Sequence, residues 1–234
     1  MLRRLLLTCA LALLPACATQ RTAPPRPVTG FSPAQLVKSD IDRVAEAHQR
    51  EIFLNLRLLA EKLYRRNPRE LQKGKQTSVD VAVARIFDVQ HGWRFTELRG
   101  ARGSRAIQSA LHDGFQGDRV LALTVGLSSM IQTAFRDKTE FFMLDDLDAQ
   151  GLYNAARNVE IAVWKLSNAR DAQGQLLLLS NDGAGPVINL SFEREFGKII
   201  ASLDILSKIA ADKSNRTVVK LVQTLATAVF LPIR

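Results

Sequence analysis

The residue types that usually carry chemistry are few in this chain and poorly placed for it. The histidines are His48, His91 and His112, each isolated in sequence. Zinc chemistry needs clustered imidazole and thiolate ligands, and neither a HExxH pattern nor a spaced cysteine pair occurs. Asp145-Asp146-Leu147-Asp148 is the densest carboxylate run. It lacks the alternating ligands, the glycine and the closing glutamate of a calcium loop, so it reads as helix capping and favourable charge at a dipole's positive end. Gly126-Leu127-Ser128-Ser129-Met130 lacks the second glycine of a nucleophile elbow and sits inside a helical pattern. Gly100-Ala101-Arg102-Gly103 is basic and glycine-bearing but lacks the Lys-Ser/Thr of a phosphate loop. Asp40/Asp42 and Glu193/Glu195 stand two apart, which puts each pair on different helix faces. No catalytic residue, metal site or cofactor is assigned.

Charge is the stronger signal. The chain of 234 residues carries a formal net charge of +9. Between Lys62 and Arg105 eleven cations face only Glu70, Asp80, Asp88 and Glu97. Arg65, Arg66, Arg69, Lys73, Lys75, Arg99, Arg102 and Arg105 are therefore the candidate surface for an anionic partner. Asp137, Glu140, Asp145, Asp146 and Asp148, opposed only by Lys138, form an acidic counterpart that would neutralise part of that surface.

The N-terminus supplies a compartment. Arg3 and Arg4 precede the apolar run Leu5–Leu13, and Leu14-Pro15-Ala16-Cys17 follows. A cationic start, about ten apolar residues and small residues before a cut form a secretory signal, too short to span a bilayer. With a cysteine directly after the small residue, this segment resembles the lipobox of bacterial lipoproteins. The resemblance covers about the first twenty residues. It implies cleavage before Cys17, acylation of the Cys17 thiol and then of the new amine, and firm anchoring by several acyl chains. Ala18, where an aspartate favours inner-membrane retention in such lipoproteins, implies the outer membrane, periplasmic side. Cys9 leaves with the signal, so no cysteine pair remains for a disulfide.

Removing residues 1–16 leaves 218, enough for one substantial domain. At 47% hydrophobic and 24% charged, the composition is that of a globular chain; aromatics are only 6%, which argues against a carbohydrate-stacking surface. Residues 17–30 carry Pro24, Pro25 and Pro27 and read as an extended tether. Residues 31–234 read as a single helical domain.

Within that domain Ser32-Pro33 begins a helix whose apolar residues recur at helical spacing to Leu63. Asn67-Pro68 opens a short helix, and Ser78 caps another over Val79–Phe87. His91–Gly103 is irregular, and Ser104–Phe115 is helical. Gly117-Asp118 starts a helix apolar nearly all round, read as a central core element. A helix follows Asp148, another follows Ser191, and Asn215 caps a last one ended by Pro232. Leu176–Leu190 is either a small β-hairpin or an apolar loop pressed to the core. The expected class is all-α: a multi-helix bundle, with room for one small hairpin near 176–190.

The expected function is non-enzymatic binding or scaffolding by a lipid-anchored envelope protein. Its partners are the membrane through acyl chains on Cys17, and an envelope protein, anionic lipid or peptidoglycan. The compartment argues against nucleic acid. Two alternatives stand beside it. One is an envelope enzyme assembled from distant residues, with Asp145, Asp146, His112 and the arginines as first suspects. The other is a lipid-handling protein with an apolar cavity.

Overall fold

Helix periodicity dominates the chain, and a computed structural model, which describes residues 38–142, 146–181, 189–215, 217–220, 223–225 and 227–233, is mainly α-helical. The signal, the lipobox with Cys17, the tether, the start at Ser32 and Asp145 lie outside the described residues.

Helix α1 (Asp40–Arg66) has a reciprocal cap: the Asp42 main-chain N–H donates to Ser39 Oγ, and the Ser39 N–H donates to the Asp42 carboxylate at 2.8 Å. Ala45, Ile52, Leu56, Leu59 and Leu63 return every three or four residues and are buried. Helix α2 (Pro68–Lys73) has proline in its first turn, and α3 (Val79–Phe87) is capped by Ser78, whose hydroxyl accepts the Val81 N–H. A 3₁₀ turn at Thr96–Leu98 leads to α4 (Gly103–Ala110).

Helix α5 (Arg119–Ala134) is the core element: every position except Thr133 is buried. No described helix is long and apolar enough to cross a membrane. Helix α5 is surrounded by α1, α4 and α6 (Ala149–Asn168), and α7 (Ser191–Ser214) packs on α6 and α1. The crossing of α4 and α5 depends on Gly126, where a β-carbon would meet the Ile107 nitrogen at 2.7 Å and the Gly103 oxygen at 2.9 Å.

One expectation falls largely outside the described residues and one changes. Residues 182–188 of the proposed hairpin lie outside the described residues; on its described flanks Leu176 makes an antiparallel bridge to Arg170 and Asn189 is a bridge residue. Leu179 pairs with a side chain, not a strand: Asn67 Nδ2 donates to its carbonyl at 2.9 Å and Asn67 Oδ1 accepts its N–H at 2.7 Å. The last helix is absent among the described residues of 217–233. That stretch is rich in β-branched residues (Thr217, Val218, Val219, Thr224, Thr227, Val229), which lose side-chain freedom in a helix. Side-chain amides on α6 hold it in non-helical form.

Candidate functional site

The basic stretch of sequence does not form one surface. Arg65 lies along α1 with Nε and Nη2 donating to Glu61, one turn back. Arg66 is half-buried at the end of α1. Lys73 is paired with Glu70 at 2.8 Å. Arg69, Lys73 and Arg119 line a small hollow of about 210 Å³ that also contains Asp113 and Asp171, so carboxylates offset part of its positive charge. Lys75 is exposed in the turn after α2. Arg102 reaches Asp137 at 3.2 Å, which joins the basic stretch to the acidic one.

Arg69 and Lys75 have no ion pair among the described residues, and Arg99 and Arg105 combine that with a shared groove. Neither side chain has a hydrogen bond or ion pair among the described residues, and both line a groove of about 740 Å³. Arg99 comes from the turn after the 3₁₀ segment and Arg105 from α4. Arg99 adopts the left-handed region at φ 51°, an unusual conformation for a residue with a β-carbon. Three turn bonds fix it: Arg99 N–H to Thr96 O at 2.9 Å, Gly100 N–H to Phe95 O at 3.0 Å and Ala101 N–H to Leu98 O at 2.8 Å. Phe95 and Leu98, both buried, root that turn in the core.

His112 lines the same groove. Its Nδ1 accepts the Gly114 N–H at 3.1 Å, which leaves the proton of the neutral ring on Nε2. The His112 loop is held by a side chain that sequence reading passed over. Arg119 is buried, and its guanidinium donates to the carbonyls of Ala110, His112 and Asp113 at 2.7, 2.7 and 2.9 Å. A clustering of Glu70, Asp118 and Arg119 around one helix start was the available signal, but Glu70 lies 49 residues from Arg119.

Around that start, Glu70 Oε2 accepts the Arg119 N–H, Asp118 Oδ1 accepts the Leu121 N–H, and Tyr64 donates its hydroxyl proton to Asp118 Oδ2 at 2.7 Å. These bonds satisfy the open N–H groups at the start of α5. Burial pushes the Asp118 carboxyl up to about 6, against the opposing pull of the Leu121 and Tyr64 hydrogen bonds. Burial likewise raises the Tyr64 phenol. At the groove's edge, Glu97 is ion-paired with Arg85. Partial burial works to raise the Glu97 carboxyl, but hydrogen bonds from its own N–H, Arg85 and Thr96 outweigh this and hold it below the usual carboxylate range.

A second groove, of about 460 Å³, is apolar: Phe53, Leu54, Phe87 and Trp93 line it, with the Phe53 and Trp93 rings stacked at 5.9 Å. Its Arg57 is held by Asp88 through both guanidinium nitrogens, at 2.5 and 3.0 Å.

Asp146 is exposed and lies outside the His112 groove, and Asp148 caps α6 by accepting the Gly151 N–H. Ser128 is fully buried, and the Ser129 hydroxyl is occupied by the Gly103 N–H and the Val125 carbonyl. Among the described residues no three histidine, cysteine or carboxylate side chains converge on a point that could hold a metal ion. Comparison with protein-family models, with curated proteins and with solved structures finds no match.

Proposed function

We propose that this protein is a lipid-anchored binding module of the bacterial envelope, held through Cys17 on the periplasmic side of the outer membrane, and that it captures an anionic envelope component in the groove between Arg99 and Arg105. One observation carries the binding half of this reading. Of the eight cations singled out by sequence, these two line one groove and have no partner among the described residues. Two uncompensated guanidinium groups on a fixed turn and a helix attract anions without reorganising the fold. The anchoring half rests on the signal sequence and lipobox.

Two measurements test it. Replacing Cys17 with Ser should abolish acyl labelling and move the protein out of the outer-membrane fraction; unchanged fractionation overturns the anchor. Replacing Arg99 and Arg105 together with Glu should abolish salt-sensitive capture of envelope material; identical capture at low and high salt by both forms overturns the groove.

A further inference from the structure

The groove has features that select among anions. Alongside Arg99 and Arg105 it presents the amides of Gln108 and Gln116, the Nε2–H of His112 and the carboxylate of Glu97. The set mixes donors with acceptors. A phosphate polymer or lipid phosphate offers almost only acceptors, so it would satisfy the arginines while facing Glu97, which its hydrogen bonds keep ionised. A peptide offers both kinds of group along its length. Its main-chain N–H groups suit Glu97 and the amide oxygens, its carbonyls suit the amide nitrogens and His112, and carboxylates suit the two guanidinium forks.

Size points the same way. About 740 Å³ is the scale of a multi-residue ligand, and a single compact anion would leave most of it filled with water. The half-buried Ala101 and Phe115 add apolar surface to the lining, where short aliphatic side chains fit. The hollow at Arg69 is a poorer fit: at about 210 Å³ it is too small for several residues, its Lys73 is paired with Glu70, and Asp113 and Asp171 line it. The apolar groove is a poorer fit as well, since its Arg57 is occupied by Asp88.

We infer that the Arg99–Arg105 groove binds an acidic peptide in extended form, its carboxylates on the two arginines and its main chain along Gln108 and Gln116. The inference rests on the anionic-groove reading above and narrows it to one chemical class. In the envelope such a ligand is either a protein segment or the peptide part of the cell wall, which share carboxylates and amide groups.

The test is calorimetric titration of the purified full-length chain with four probes: a short N-acetylated peptide alternating glutamate and alanine, the same peptide with glutamine for glutamate, soluble stem-peptide fragments of the cell wall, and polyphosphate. The glutamate peptide should bind, and the glutamine peptide should bind at least about tenfold more weakly. The combined Arg99→Gln and Arg105→Gln variant should lose about tenfold or more, with its helical circular dichroism unchanged. Replacement of the exposed Arg43 and Arg94 by Gln should leave binding intact. The stem-peptide arm separates the two sources by relative affinity. Equal binding of the glutamate and glutamine peptides, or an unaffected double variant, overturns the inference. Polyphosphate binding through Arg99 and Arg105 with no peptide binding overturns the peptide assignment and leaves the anionic groove standing. Binding of no probe overturns both.

Discussion

Asn158 on α6 holds Leu231 by both halves of its side-chain amide. Nδ2 donates to the Leu231 carbonyl at 2.8 Å, and Oδ1 accepts the Leu231 N–H at 2.6 Å. The same device recurs. Gln150 grips the main chain of Val219 at 2.9 and 3.1 Å, and Asn67 grips that of Leu179. Asn154, between Gln150 and Asn158 on one face of α6, donates to Pro232 O at 2.8 Å. In each doubly bonded case a primary amide presents the donor and acceptor that a neighbouring strand would offer. Irregular segments are thereby fastened to helices, and their buried main-chain groups are satisfied without a sheet.

Replacing Asn158 with Ala should strand the N–H and C=O of Leu231 beside a buried apolar contact. Each buried group left unsatisfied costs about 1–3 kcal/mol, so roughly 2–6 kcal/mol of stability should be lost in urea unfolding. Limited proteolysis should then release fragments cut between α7 and Leu231. Proteolysis at the wild-type rate would show that Asn158 does not fasten the tail.

The Asp118 carboxyl sets a pH dependence. Its folded value of about 6 lies above the ordinary 3.8, so the folded chain binds this proton more tightly than the unfolded chain. The contribution is complete below about pH 4 and fades as pH rises through about 6. Asp118→Asn keeps an acceptor for the Leu121 N–H and removes the titration. Between pH 8 and pH 5 the wild type should gain roughly 1–3 kcal/mol relative to this variant. Thermal melts at several pH values report it, and parallel curves for the two proteins would exclude Asp118 as the titrating group. Carboxyls held low by cations, such as Glu195 and Glu97, act oppositely but at lower pH.

Gly126→Ala should force α4 away from α5, because the new β-carbon meets Ile107 at 2.6 Å and main-chain atoms beyond it. Overpacking of this kind costs roughly 1–3 kcal/mol. Gly197→Ala on α7 is the contrast: nothing lies within 4 Å of its β-carbon position, and gain of helix propensity should stabilise by about 0.5–1 kcal/mol. Opposite shifts in denaturation midpoint check the pair; two shifts of the same sign would contradict the crossing geometry.

Ser128→Ala should stabilise. The Ser128 hydroxyl is fully buried in α5 with no hydrogen-bond partner among the described residues. Removing an unsatisfied hydroxyl and adding the best helix former should be worth roughly 1 kcal/mol, a rise in Tm of about 2–4 °C for a domain of this size. A fall in Tm would show that the hydroxyl is bonded.

The helical class was legible from sequence because helix periodicity and capping are local. Pro68 in the first turn of α2, Ser78, Asp118 and Asp148 as caps, and the apolar α5 at the centre all stand where spacing put them. The groove was half legible. Arg99 and Arg105 were among eight cations that sequence could not rank, since ion pairing depends on which carboxylates folding brings near. Lys73 and Glu70 pair one turn apart on α2, but only the tertiary structure matched Arg102 with Asp137 across 35 residues and brought the unpaired Arg99 and Arg105 to one groove. It also decided the tail. The apolar spacing after Asn215 fits a helix, but Asn158 reaches Leu231 across 73 residues and Asn67 reaches Leu179 across 112. Periodicity records which face of a segment is buried; it carries no trace of a hydrogen bond between residues that meet only after the chain has folded.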